Sequence, residues 1–218
     1  MRERGAIWLL AVMGGLFVTC SSLAQKALVQ VDIAAMQPGR EPNDFIFERT
    51  GHGAPAEWRV VSDPTAAHQV AIAQISTDPT DYRFPLAVYR PVSAKDVDVS
   101  VRFKPVAGKV DQAGGIVVRL TTNDDYYVVR ANALEDNVRF YRVVKGRREQ
   151  IKGINTKVDG NQWHMLGLRA EGGHFTISFD GKELFSADDK TFAAEGKVAL
   201  WTKADSVTYF EMLTIRPL

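Results

Sequence analysis

From Phe45 onward the chain is a succession of short apolar runs that alternate in period two, cut by Gly, Asp, Asn and Pro, with no sustained helical stripe. Segments patterned in this way bury one face each and need a second sheet to bury it against. The cleanest example is Val97-Asp98-Val99-Ser100-Val101-Arg102-Phe103, where the valines and Phe103 face a core and Asp98, Ser100 and Arg102 face water. Further strands are expected at Phe45–Glu48, Trp58–Ser62, Val70–Ile75, Leu86–Arg90, Gly115–Leu120, Tyr126–Asn132, Val138–Val144 and Gln150–Ile154. The pattern continues at Trp163–Ala170, His174–Phe179, Glu183–Ser186, Lys197–Lys203 and Thr208–Ile215. Asp180-Gly181 sits between two such runs, where a tight hairpin needs residues that tolerate positive φ, and Lys145-Gly146 and Asp159-Gly160 read as further turns. About fourteen closely spaced strands without intervening helices predict an all-β fold, a two-sheet antiparallel β-sandwich. The one helical turn expected lies near Lys190 to Ala194.

The first residues have a different character. Arg2 and Arg4 precede an uncharged apolar stretch from Ala6 to Val18, and Ser22-Leu23-Ala24 supplies small residues for a signal peptidase. Residues 1–24 are therefore expected to be a cleaved Sec-type signal peptide, which implies a periplasmic or extracellular protein. The alternatives are an uncleaved anchor, shortened by Gly14-Gly15 and the polar run Thr19 to Ser22, and a lipoprotein modified at Cys20. Residues 25–43, with Pro38, Gly39 and Pro42, form an irregular N-terminal extension expected to cross the sandwich, and 44–218 form the sandwich domain.

Cleavage would remove Arg2, Glu3 and Arg4 and leave basic and acidic side chains in equal number. A neutral chain has no electrostatic footprint for nucleic acid and no general attraction to a membrane surface. Cleavage also removes Cys20, the only cysteine, so disulfides, a thiolate nucleophile and cysteine metal sites are excluded. No Gly-x-Ser-x-Gly elbow, His-Glu-x-x-His pair or phosphate-binding glycine loop is present. His52, His68, His164 and His174 lack ligand-like spacing, and Asp124, Asp125, Glu135, Asp136 and Asp205 fall at turns, where calcium or solvent is as natural a partner as a substrate.

The candidate binding residues lie on two neighbouring strands and one near the C-terminus. In Gly115–Leu120, Ile116, Val118 and Leu120 are expected on one face and Arg119 on the other, while Tyr126, Arg130 and Asn132 share a face of the next strand. Guanidinium and amide groups that donate to hydroxyls, beside a ring that packs on the apolar face of a pyranose, suit a sugar; the same residues would also serve as a cross-strand ladder stabilising an exposed sheet. Trp201 shares parity with Lys203, away from Val198 and Leu200, and is either a stacking platform or a core residue. The basic hairpin Arg139, Arg142, Lys145, Arg147 and Arg148 is either an anionic-polysaccharide site or a charged edge that discourages sheet-to-sheet association.

Several stretches occur in an order that resembles a known superfamily: Trp58-Arg59-Val60-Val61, Gly114-Gly115-Ile116-Val117-Val118-Arg119, Asp125-Tyr126-Tyr127-Val128-Val129-Arg130, Asn161-Gln162-Trp163-His164, Phe179-Asp180-Gly181-Lys182 and Gly196-Lys197-Val198-Ala199-Leu200-Trp201. Over most of Asp44 to Ile215 the chain resembles concanavalin A-like lectin/glucanase jelly rolls, close to laminin-G-like and 3-keto-disaccharide hydrolase domains. The export signal, the resemblance and the strand-face residues together lead to the expectation of an exported protein that binds an oligo- or polysaccharide through Arg119, Tyr126, Arg130, Asn132, Trp201 and Lys203. The Asn-Ser-Gly of active relatives is here Ala113-Gly114-Gly115, and the Glu-x-Asp-x-x-Glu strand of laminarinase-type glucanases is missing. Phe210-Glu211-Met212 replaces the polar pattern of a structural calcium site, so no cofactor is implied. Two alternatives to a carbohydrate-binding protein stand: a 3-keto-glycoside hydrolase or lyase in which Arg119 and Arg130 polarise a keto sugar, and a cell-envelope module that recognises protein.

Overall fold

The computed structural model describes residues 27–218. Its strands in chain order are β1 (Val29–Gln30), β2 (Phe45–Gly51), β3 (Trp58–Ser62), β4 (Val70–Gln74), β5 (Arg83–Ala94), β6 (Val97–Ala107), β7 (Ala113–Thr122) and β8 (Asp125–Asn132). They continue as β9 (Asn137–Val144), β10 (Arg147–Asn155), β11 (His164–Glu171), β12 (His174–Phe179), β13 (Lys182–Asp188), β14 (Gly196–Trp201) and β15 (Val207–Pro217). The eight-stranded sheet runs β13-β12-β11-β6-β15-β4-β3, with β1 added against β15, and the seven-stranded sheet runs β10-β9-β8-β7-β14-β5-β2. All pairings are antiparallel, which makes the all-β jelly-roll sandwich that the strand pattern predicts.

The main core lies between the sheets. Val97, Val99, Val101 and Phe103 of β6 all face it, as the alternation requires, and meet Ile116, Val118, Tyr127, Val129, Phe140 and Leu200 from the other sheet. Tight turns at Lys145-Gly146 (φ 49° and 75°) and Asp180-Gly181 (φ 48° and 77°) close the β9–β10 and β12–β13 hairpins in the left-handed conformation that a two-residue loop demands. At Asp159-Gly160 the left-handed residue is instead Asn161, φ 57°.

The outer face of the seven-stranded sheet carries a second apolar cluster, which includes Phe84, Leu86, Val88, Val117, Tyr126, Val128, Tyr141, Val143 and Trp201. It is buried because the sheet rolls over it. Thr50 on β2 hydrogen-bonds the Tyr126 hydroxyl on β8 at 2.8 Å, although three strands lie between them. A flat sheet would hold such strands roughly 19 Å apart at the usual inter-strand spacing. Tyr82 Oη donates to Gly146 O (2.7 Å) and accepts from Arg148 N (3.0 Å), so the β9–β10 turn meets the approach to β5 across the same face.

Three expectations are corrected. Register breaks between Val118 and Thr122, and Arg119 there has φ 52°, a bulge that reverses parity. Leu120 therefore leaves the Ile116–Val118 side and joins the second cluster, while Arg119 turns towards Tyr127 and Phe175. Lys190–Ala194 is not helical, because Phe192 spends its carbonyl on Arg119 and its N–H on Tyr127 Oη rather than on a helical ladder. Among the described residues the one helical turn, a 3-10 turn, is Ile33–Ala35, capped by Asp32. Within the N-terminal extension, β1 pairs with β15, and Val31, Ile33 and Met36 are buried in the main core. Residues 1–24, where a signal peptide is expected, and Cys20 with them, lie outside the described residues.

Candidate functional site

Beyond the closed part of the rolled face, the ends of β7, β8, β9 and β14 carry polar side chains where alternation alone would put surface residues. Arg130 is 4% exposed; it donates to Asn137 Oδ1, to Glu135 Oε2 at 2.7 Å and to Tyr141 Oη at 3.1 Å. Asn137 Nδ2 also donates to Glu135 Oε2 (3.1 Å). Asn132, fully buried, donates to Asp111 Oδ1 (2.7 Å) and accepts from Leu134 N (2.8 Å), which closes the β8–β9 loop over it. Lys203 bridges Asp111 (2.9 Å) and Asp81 (2.5 Å).

The loops that supply these groups are held by charge-assisted bonds. The Asp205 carboxylate accepts from the backbone N–H groups of Lys109 (2.7 Å), Val110 (3.0 Å) and Asp111 (3.0 Å). Arg83, fully buried, donates to Ala204 O (2.7 Å), Ala54 O (2.8 Å), Pro55 O (3.0 Å) and Ser76 Oγ (2.9 Å). Lys203 and Asp111 are thus fixed from both sides before any ligand arrives, the preorganisation a binding site needs.

The electrostatics follow from one ammonium shared by two carboxylates. Burial holds the Asp111 carboxyl above its usual range despite Lys203 and Arg130. Burial also opposes charge on Lys203, but the Asp81 hydrogen bond and the Asp111 charge outweigh it and raise the ammonium. The two directions differ because Asp111 is the more deeply buried of the pair, its side chain 1% exposed against 13% for Lys203, and because Lys203 has two carboxylate partners. Burial pushes Glu135 up, yet Arg130 and Asn137 hold it below the usual carboxylate range. Glu135 and Asp81 remain exposed, at 46% and 74% of their side chains, and exposed Val110 and Leu134 stand in the β6–β7 and β8–β9 loops beside them. The open end therefore offers donors, acceptors and apolar edges together.

Beside it runs an aromatic floor. Phe84 and Trp201 stack at 5.5 Å, and the Arg148 guanidinium lies 4.8 Å from Phe84, 4.6 Å from Tyr141 and 5.8 Å from Trp201. Gly115 separates Trp201 from Arg130 in the ladder, and a Cβ there would stand 2.6 Å from Val129 O, 3.2 Å from Arg130 Cβ and 3.3 Å from Trp201 Cε3.

Of the residues singled out in the sequence, Arg130, Asn132 and Lys203 come together in the polar network. Tyr126 and Trp201 belong to the adjacent floor, both fully buried, so neither ring is an open platform. Arg119 is elsewhere, 1% exposed, donating to Lys95 O (2.8 Å), Phe192 O (2.8 Å) and Gly172 O (2.5 Å). The bulge carries it to the inner side, so Arg119 and Arg130 do not converge on one ligand group. Asp111, Asn137 and Tyr141 are the members that sequence reasoning missed, while Glu135 reads in the sequence only as a turn carboxylate and Arg148 only as part of the basic hairpin. The pair Asn132 and Asn137 flanking Glu135 in one tight turn was the available signal. Glu211, in the stretch that departs from the calcium pattern of the relatives, gives its carboxylate to Arg102 (2.6 Å) and Ala67 N (2.7 Å). Among the described residues no group of three or more His, Cys, Asp or Glu is arranged to hold a metal ion, and no helix is long and apolar enough to cross a membrane.

Comparison with solved structures places this geometry in a known architecture. The carbohydrate-binding module CBM66 from Bacillus subtilis matches with a TM-score of 0.62 and 21% identity over 80% of this chain and 97% of that one. The β-glucanase of Bacillus licheniformis matches at 0.55 and 11% identity over 90% and 100%. A protein of unknown function from Shewanella oneidensis MR-1 matches at 0.54 and 14% over 90% and 88%. These likenesses show the concanavalin A-like jelly roll. No curated protein sequence matches the chain. The model of the galactocerebrosidase C-terminal lectin domain does match, over residues 58–218, from β3 through every strand that supplies the polar network to β15, and the chain belongs to that lectin-domain family.

Proposed function

We propose that this protein is an exported, non-catalytic glycan-binding domain and that the Arg130–Asn132–Asp111–Lys203 network is its sugar site. The observation that carries the reading is the convergence of buried, mutually bonded donors and acceptors beside exposed Glu135 and Asp81, at the end of a face whose middle is filled by an apolar cluster. Surface stability alone does not call for burying Arg130, Asp111 and Asn132 there, since buried polar groups cost free energy unless their bonds repay it. A pyranose or furanose presents paired hydroxyls that donate and accept at once, which matches Glu135 and Asp81 as acceptors beside Arg130 and Lys203 as donors. Membership of the lectin-domain family and the likeness to a carbohydrate-binding module support this reading, and the signal-like residues 1–24 support export to the periplasm or beyond.

The test is a glycan array followed by calorimetry on the mature chain. Binding of at least one oligosaccharide class is expected, weakened tenfold or more by Arg130→Gln. Silence across plant, microbial and host glycans, or full affinity in the variant, would overturn the assignment. Export is checked by N-terminal sequencing of protein recovered from the periplasm or medium, with cleavage expected after Ala24.

A further inference from the structure

The basic β9–β10 hairpin is not uniformly charged once its partners are counted. Arg142 is neutralised by Glu149 (2.8 Å) and Asp189 (2.9 Å), Arg148 is laid against three rings, and Arg139 donates to Asn155 Oδ1 (2.6 Å). Among the described residues, the side chains of Lys145 and Arg147 have no acidic partner within 4.0 Å, and both are exposed. These two cations line a cavity of about 370 Å³ together with Gly51, His52, Tyr82, Asp124 and Gly146. The cavity lies at the seam where the rolled sheet closes, apart from Arg130 and its partners.

Its chemistry differs from that of the polar network. Tyr82 is 39% exposed and its ring pairs with His52 at 6.5 Å, while its hydroxyl is fixed between Gly146 O and Arg148 N. The ring is therefore held still with area free, as an aromatic contact for a sugar requires. Asp124 lies against Gly146, whose added Cβ would meet Asp124 Oδ1 at 3.2 Å, so an acceptor stands beside the two cations. Two cations, one carboxylate and one fixed ring leave a net positive site with a place for an anion, a hydroxyl donor and an apolar ring face.

We propose that this seam cavity is a second binding site, selective for a uronic-acid residue of an acidic polysaccharide. The uronate carboxylate pairs with Lys145 and Arg147, a ring hydroxyl donates to Asp124, and the apolar face of the sugar packs on Tyr82. Lys145 and Arg147 sit in a solvent-exposed turn, so their removal leaves the fold intact.

The experiment titrates the mature protein with trigalacturonate and, in parallel, with its methyl ester, which keeps every hydroxyl and loses the charge. Trigalacturonate is expected to bind at least tenfold tighter than the ester and to weaken several-fold between 50 and 200 mM salt, as screening of exposed ion pairs requires. The double variant Lys145→Gln/Arg147→Gln is expected to abolish that preference, while Arg130→Gln leaves it unchanged. Equal binding of acid and ester, an unaffected double variant, loss of the preference in Arg130→Gln, or displacement of trigalacturonate by equimolar inorganic phosphate would each overturn the proposal.

Discussion

Gly115 shows how little room the site leaves for change. It pairs with Arg130 on one side and Trp201 on the other, and a methyl group there collides with Val129 O. Gly115→Ala must push β7 away from β8, and overpacking of this kind costs about 1–3 kcal/mol. The expected result is a lower urea midpoint at unchanged slope, together with weaker sugar binding, because Arg130 moves with the strand. Asp111→Asn separates the two effects. Burial disfavours the Asp111 charge more than Lys203 and Arg130 favour it, and Lys203 keeps Asp81 when the charge is gone. Replacement of a buried ion-pair member is strongly destabilising only when its partner is left unpaired. Asp111→Asn is therefore expected to change the midpoint by less than ~1 kcal/mol at pH 7 while lowering affinity, which calorimetry beside urea unfolding would read.

At the scale of elements, the bulge in β7 has a structural task that parity hid. Arg119 ties the β5–β6 turn through Lys95 O, the β11–β12 turn through Gly172 O and the segment before β14 through Phe192 O. Arg119→Met keeps much of the side-chain volume and leaves three carbonyls short of a donor. Stranding a fully buried polar group costs about 1–3 kcal/mol, and because these three bonds are only part-buried the low end applies, so a loss of roughly 3 kcal/mol in all is expected, with sugar affinity unchanged in the folded fraction. Loss of affinity without loss of stability would return Arg119 to the binding site. The period-two pattern made the strands and the shared face of Tyr126, Arg130 and Asn132 legible, because within one strand alternation settles which side chains point together. It did not reveal Leu120 and Arg119, since one left-handed residue inverts every position after it. Nor did it show Asp111 and Lys203 meeting Asn132, because that contact depends on how β7, β8 and β14 are ordered in the sheet, which no local pattern records.

For the whole molecule, the same charges that build the sites set its response to acid. Burial pushes Asp205 up, but three backbone N–H groups hold its carboxyl below the ordinary value; Lys104 and Thr65 do this for Asp63, and Thr191, Tyr127 and Arg142 for Asp189. Each of these groups binds its proton less readily in the folded chain than in the unfolded one. Their contribution is therefore present above their unfolded values, near pH 4, and is lost as the pH falls through the lower folded ones. Asp111, raised by burial, acts in the opposite sense, but it stands alone against these three and against Asp81 and Glu135, which are lowered as well. Thermal midpoints should thus hold from pH 7 to about pH 5 and fall steeply below pH 4, where the three carboxylates protonate. Asp205→Asn identifies the element responsible. The amide can accept with one oxygen but turns a donor towards backbone N–H groups, so the variant should lose about 2 kcal/mol at pH 7. Its fall in acid should then be shallower than that of the unmodified chain, because one of the three groups no longer titrates. A variant that loses stability equally at pH 7 and pH 3 would show that the Asp205 charge takes no part in holding the loop that bears Asp111.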